Sequence, residues 1–313
     1  MNCGTTLDMG ERERHLKCIQ NPYPSTLRLL CTTGDRSVWQ VGTDKILKEY
    51  PSDDALCTEG AVMMALAQDP EIPAPRVLHE WVDSNGRYFI LQERLRGETL
   101  QDVWPRLSQP QKRAIAAEVG QVRKRLRRLT SPRIQSVGGG ACYPPYEWGF
   151  RTRAQGPFGS DADLRAAIRS YLAGLLDREL PDQILENLMA RMPASGPYVL
   201  THGDLHISNI MVDEDGRLVG IIDWEYAAYY PIWFDYLLVA RGNVDPDDAE
   251  WKDLLQLQFE AQGNGHPDAV QFRDHIFLLK GYPYLDDGER ELLAKLCSGP
   301  DMKRRTEMVL DNR

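Results

Sequence analysis

The sequence predicts an α+β fold built as two lobes. Three observations carry that prediction. Residues 27–93 hold five short runs of strand-forming residues separated by turn signals, with one helical stretch among them. From residue 99 onward apolar residues recur mostly at helical spacing. The two regimes meet at 92–97, where Gly97-Glu98 breaks the pattern. A strand-rich block followed by a helix-rich block belongs to α+β architecture. The expected lobes are residues 1–94 and 95–313.

The apolar run 27–31 predicts a strand, and Thr33-Gly34-Asp35 turns the chain. Residues 37–41 alternate, and 45–50 follow the turn Gly42-Thr43-Asp44, so a hairpin is expected. Ser52-Asp53-Asp54 offers an N-cap to a helix over 55–68, which Pro70, Pro73 and Pro75 stop. Residues 77–82 and 88–93 predict two more strands joined by an Asn85-Gly86 turn.

The second block starts helical at 99–104. Over 109–129, Ile115, Val119, Val122, Leu126 and Leu129 mark one long amphipathic helix. Its basic run 123–128 is expected to be a solvated face near the negative end of the helix dipole. Residues 136–158 are rich in Gly, Pro and aromatics and predict a long loop. Helices are expected over 161–178 and 183–192, and a short strand over 198–201. The chain after 247 is expected to be mainly helical.

Of the 313 residues, 42% are hydrophobic and 27% charged, ordinary values for a folded protein. The net charge of -9 argues against nucleic-acid binding and favours neutral or cationic small molecules. Six cysteines are scattered without a C-x-x-C pair, which predicts reduced thiols. Residues 1–18 lack the apolar core of a secretory signal. No apolar run approaches the ~20 residues that cross a bilayer. The expectation is a cytoplasmic protein that does not engage membranes.

The segment 198–235 carries the chemistry. His202-Gly203-Asp204 follows a strand, and Asn209 lies beyond it. Two apolar runs then flank the turn Asp213-Glu214-Asp215-Gly216, and the second ends at Asp223. Such a hairpin returns the chain to its starting edge. Phosphoryl transfer needs a carboxylate to orient and deprotonate a hydroxyl, and hard oxygen ligands to hold magnesium against phosphates. Asp204 suits the first role, and Asn209 with Asp223 the second.

The pattern H-G-D-L-H-x-x-N-I-M-V followed by G-I-I-D-W-E resembles the aminoglycoside phosphotransferase family of protein-kinase-like small-molecule kinases, with choline kinase relatives. The resemblance implies the bilobal protein-kinase-like fold, ATP and Mg2+ as cofactors, Asp204 as catalytic base, and Asn209 and Asp223 as metal ligands. It also implies that Lys48 contacts the α- and β-phosphates and that Glu59 on the following helix holds Lys48. The stretch 88–100 resembles the adenine-binding hinge and assigns Gln92, Glu93 and Leu95 to the nucleotide. Only one glycine, Gly34, stands in the phosphate loop 32–38, where Ser37 and nearby amides are the expected contacts. His202 is expected to brace the loop, and Asp235 to be structural. Trp224-Glu225 replaces the Phe-Gly of protein kinases, which disfavours a protein substrate. The expected acceptor is a small molecule, and the aromatics 224–233 would suit an amine-bearing one. The alternative is a nucleotide-binding pseudokinase or a non-kinase enzyme on the same fold.

Overall fold

The computed structural model describes residues 26–52, 58–143, 154–175, 182–240, 245–281 and 284–296. The strand-forming runs near the N-terminus build one antiparallel sheet. Its strands are β1 (Leu27–Thr33), β2 (Arg36–Val41), β3 (Lys45–Pro51), β4 (Val77–Val82) and β5 (Arg87–Glu93), in the order β1-β2-β3-β5-β4. Alternation buries Lys48 and Tyr50 on β3 and Tyr88, Ile90 and Gln92 on β5. Helix α1 (Glu59–Leu66) adds Val62, Met63 and Leu66 to the same buried cluster. Of the expected cap Ser52-Asp53-Asp54, residues 53 and 54 lie outside the described residues.

The remaining elements run β6 (Glu98–Thr99), α2 (Leu100–Val103), α3 (Gln109–Leu126), β7 (Thr130–Ser131), β8 (Gln135–Ser136), α4 (Asp161–Leu175), α5 (Asp182–Ala190), β9 (Tyr198–Thr201), β10 (Ile210–Val212), β11 (Leu218–Ile221), β12 (Ala228–Pro231), α6 (Phe234–Val239), α7 (Pro246–Ala261), α8 (Pro267–Gly281) and α9 (Asp287–Leu296). Helices dominate this part, and two small sheets, β11-β10-β6 and β7-β9-β12-β8, are set among them. The chain enters it through Gly97, whose φ is 149°. A Cβ there would stand 2.3 Å from the Val212 carbonyl oxygen on β10, so only glycine permits this approach.

Helix α3 buries Ile115, Val119, Val122 and Leu126, as the periodicity predicts, and ends at Leu126. Leu129, the last residue of that pattern, is exposed. Helix α7 starts at a clean cap: the Asp245 carboxylate accepts from the amides of Asp247 and Asp248, and Pro246 opens the first turn. It packs along α3. A second core joins α4, α5 and α8 through Leu164, Ile168, Leu188, Phe272 and Ile276, together with Trp233 and Phe234.

Two expectations are corrected. The run 136–158 is not a free loop throughout: antiparallel bridges Ile134–Phe158 and Cys142–Gln155 pin its ends, while 144–153 lie outside the described residues. The basic run is only partly solvated. Lys124 and Arg128 are exposed, but Arg123 is 2% exposed and grips Asp235 through Nε and Nη2 at 2.5 and 2.8 Å. The Arg123 guanidinium also lies 3.8 Å from the ring centroid of Phe259 on α7. A period that matches the dipole argument does not say which face meets a buried carboxylate. This buried pair fastens α3 to the start of α6, and Asp235 is thereby structural.

Removing one partner strands the other charge in the interior. Asp235→Ala is expected to cost about 3–5 kcal/mol in urea unfolding followed by tryptophan fluorescence. The double replacement Arg123→Met with Asp235→Leu is expected to cost less than the single one, because only Arg127 then loses a carboxylate, at 3.7 Å, and it keeps its bonds to the Ile232 carbonyl and Asn264.

Candidate active site

The hairpin β10–β11 determines where the polar residues of 202–223 meet. Its turn is closed by Asp213, whose Oδ1 accepts from the amides of Asp215 and Arg217 at 3.0 and 2.9 Å. Ile210 pairs with Ile221, and the Ile222 amide donates to the Asn209 carbonyl at 2.9 Å. The open end of the hairpin therefore sets Asn209 beside the residue preceding Asp223. The amide of Asn209 folds back on Asp204, donating from Nδ2 to its carbonyl and to Oδ2, both at 3.0 Å.

His202 ties the two ends together. The Asp204 amide donates to its Nδ1 at 3.2 Å, so Nε2 carries the proton and donates to the Ile222 carbonyl at 3.0 Å. Burial holds the imidazole neutral and pushes its pKa down to about 4. Gly203 between them has φ 88°, and a Cβ would meet the Tyr226 carbonyl oxygen at 2.5 Å. Glycine is required for this close approach.

Asp223 has φ 68°, the one positive φ at a non-glycine position among the described residues. It turns the strand end sharply and aims the carboxylate at Lys48, with Nζ to Oδ1 at 2.8 Å. The same ammonium donates to Glu59 Oε1 at 2.6 Å. Glu59 is fully buried and also accepts from the Tyr50 hydroxyl and the Trp224 amide, each at 3.3 Å. Burial alone would lower the Lys48 pKa, but the charges of Glu59 and Asp223 overcome it and raise the value. Burial likewise opposes ionisation of Asp223, and Lys48 outweighs it, holding that carboxyl below its usual range. Asp204 moves the other way: burial first, then repulsion from Asp223, raises its pKa. Two neighbouring carboxyls thus differ in proton affinity, a division that suits one to take a proton and the other to stay charged.

A cavity of about 270 Å³ opens beside Asp223, with Arg36, Ser37, Lys48, Tyr50 and Glu225 among its lining residues; Asp204 and Asn209 lie outside that lining. The Ser37 hydroxyl donates to Glu49 at 2.9 Å and accepts from the Trp39 indole at 3.0 Å. Gln92, Glu93 and Leu95 lie at the end of β5 and beyond, outside that lining. Gln92 is buried, and its Oε1 has no hydrogen-bond partner. The Glu93 amide is taken by the Arg76 carbonyl at 2.9 Å, whereas the Leu95 amide meets no acceptor among the described residues. Among the described residues no group of three or more His, Cys, Asp or Glu side chains is arranged to hold a metal alone. Asp223 and the amide oxygen of Asn209 are hard donors that fit magnesium, an ion that takes its other ligands from phosphates and water.

Sequence reasoning assigned nothing to Arg36, which meets Glu225 across the cleft, Nη1 standing 2.6 and 2.5 Å from the two carboxylate oxygens. It also missed α7. From that helix Asp248 accepts from the Ile207 amide at 2.9 Å, is paired with Lys252 at 2.8 Å and faces His206 Nε2 at 3.5 Å. Trp251 donates to the Leu205 carbonyl at 3.0 Å. The loop 204–209 is therefore held from behind by α7. The helical pattern after 247 says nothing of the loop that the helix supports. Of the aromatic set, Trp224, Tyr230 and Trp233 are core, while Tyr226 and Tyr229 are half-buried.

Comparison with known proteins gives the fold and the family. The chain is similar in fold to aminoglycoside phosphotransferase APH(4)-Ia, with TM-score 0.57 and 18% identity over 97% of this chain and 99% of that one. It is also similar to APH(2")-IIa in its streptomycin-ATP ternary complex, with TM-score 0.53 and 17% identity over 98% and 99%. Short segments resemble two curated proteins: Clavilactone A biosynthesis cluster protein Y of Ampulloclitocybe clavipes, 44% identical over 46 residues, and probable choline kinase 3 of Arabidopsis thaliana, 53% identical over 34 residues. The matched segments span 12% and 11% of this chain, and 11% and 10% of those proteins. The model of the phosphotransferase enzyme family matches residues 33–272, well over half of the chain. The chain has the bilobal kinase-like fold of these neighbours and belongs to the phosphotransferase enzyme family.

Proposed function

We propose that this protein transfers the γ-phosphoryl group of ATP to a hydroxyl of a small molecule. The observation that carries this reading is the Lys48–Asp223 ion pair at 2.8 Å, which joins the middle of the N-terminal sheet to the hairpin holding Asn209. Lys48, oriented by Glu59, contacts the α- and β-phosphates. Asp204 orients the acceptor hydroxyl and takes its proton, and its raised proton affinity favours that step. The Asn209 amide nitrogen holds Asp204 Oδ2, so the carboxylate keeps one direction during transfer. Asn209 and Asp223 are the residues that would hold Mg2+, which when bound neutralises charge on the transferring phosphates.

The joint at 92–97 divides lobes 1–94 and 95–313, and the Leu95 amide beside Gln92 and Glu93 is the contact for adenine. Relatives of the same fold solved with AMP-PNP and hygromycin B, or with streptomycin and ATP, support a nucleotide and a small acceptor. An amine-bearing acceptor suits the half-buried Tyr226 beside Asp204 and Glu225.

Asp204→Asn is expected to lower ATP turnover by about 10²–10⁴-fold, the usual share of a general base. Calorimetric ATP affinity should stay within a few-fold of the native value, and undiminished turnover would remove the proposed base. The acid limb of the native rate profile should lie above the ordinary aspartate range of about 3.9, since activity is lost as pH falls through the raised value.

Stability follows a separate group. The His202 pKa is depressed to about 4 from 6.5, so the unfolded chain binds the extra proton between those values. Urea midpoints should therefore fall as pH drops through that window, and His202→Gln should flatten the slope. Equal slopes in the native chain and in His202→Gln would contradict the neutral, buried assignment.

A further inference from the structure

We infer that Arg36 is a phosphate-binding side chain that takes the place of a glycine-rich loop, and that Glu225 competes with the nucleotide for it. The inference rests on the reading of the cavity as a nucleotide site and adds to it a residue of the polyphosphate contact.

The cavity presents a charge problem. Its charged lining residues are Arg36 and Lys48 against Glu49, Asp223 and Glu225. Lys48 is already shared between Glu59 and Asp223. Glu49 is paired with Arg87 at 3.0 Å. A polyanion entering this space therefore meets one cation that is not already divided between two carboxylates, and that cation is Arg36.

Its placement fits. Arg36 follows the turn 33–35 and begins β2, next to Ser37, with its side chain in the cavity. Arg87 binds the Asp35 carbonyl and so anchors the turn from the sheet side. Only Nη1 of the guanidinium meets Glu225, touching both oxygens at 2.6 and 2.5 Å. No partner is recorded for Nε or Nη2 among the described residues. The side chain is 33% exposed, and its Cζ lies 5.6 Å from the Tyr50 ring centroid. A clamp built for strength would present the guanidinium fork side by side to the carboxylate, as Arg123 does to Asp235. Here the donors of two nitrogens are left for another acceptor in the cavity, and phosphate oxygens match that fork.

Glu225 is 8% exposed and close enough to Asp223 to feel its charge. With polyphosphate on Arg36, the two anions crowd the same guanidinium. Magnesium relieves that crowding by adding positive charge. Without magnesium, Glu225 opposes the nucleotide.

Titration calorimetry of the full chain tests this with three probes: ATP with magnesium, ATP with EDTA, and adenosine. Arg36→Ala is expected to weaken magnesium-ATP binding about 10–100-fold, the loss of one or two charge-assisted contacts, and to leave adenosine within twofold. Glu225→Gln should act oppositely in EDTA and tighten ATP several-fold. Unchanged ATP affinity in Arg36→Ala, or a parallel loss of adenosine, would overturn the inference. So would Glu225→Gln weakening ATP in EDTA as Arg36→Ala does, since the pair would then be a structural clamp. If the native chain takes up neither ATP nor adenosine, the nucleotide reading itself fails. If it binds both and only Arg36→Ala is silent, this inference alone fails.

Discussion

The Lys48 ammonium is the interaction on which the site depends. It is buried, and burial disfavours a charged amine by several kcal/mol unless partners compensate. Glu59 and Asp223 provide that compensation from two directions, one from a helix of the N-terminal lobe and one from a hairpin of the C-terminal lobe. Glu59 is fully buried and would be costly as a lone charge there, whereas the Asp223 side chain is 38% exposed. The buried charges of Lys48 and Glu59 are therefore acceptable only together, and Asp223 joins them from the cavity side. The sheet, α1 and the β10–β11 hairpin are arranged around that condition.

A second constraint holds the loop 202–209. Its peptide groups are met by a neutral imidazole, by a helix-borne carboxylate and by an indole, from His202, Asp248 and Trp251. A loop held by its own His202 and, from behind, by two side chains of α7 is stiffer than one held by its turn alone. This stiffness lets a single carboxylate, Asp204, keep its direction without a flanking helix of its own. The cleft mouth is treated differently. It is spanned by Arg36 and Glu225, a partly exposed pair whose strength falls with salt.

Much of this was legible in the sequence, for identifiable reasons. The five strands appeared because turn signals at Gly34, Gly42 and Asn85-Gly86 separate runs of strand-forming residues. The meeting of Asp204, Asn209 and Asp223 followed from hairpin arithmetic, since equal arms bring the chain back to one edge. Lys48 and Glu59 were found by order and resemblance, because a strand lysine and a helix glutamate have no local signature. Arg123 was misjudged: dipole and periodicity are local quantities, and its partner Asp235 lies 112 residues away. Arg36 and Asp248 were silent for the same reason, with partners 189 and 41 residues distant.

The left-handed backbone at Asp223 narrows what this position can become. Glutamate would keep the charge but meet the steric cost of that conformation, about 1–2 kcal/mol for most residues, and its longer arm would overshoot the ammonium. Asparagine tolerates the backbone but leaves Lys48 with Glu59 as its one anionic partner, and glycine removes the ligand altogether. Chain geometry and electrostatics thus select the same residue by independent routes. Of these replacements, none keeps the backbone, the charge and the reach of the side chain together.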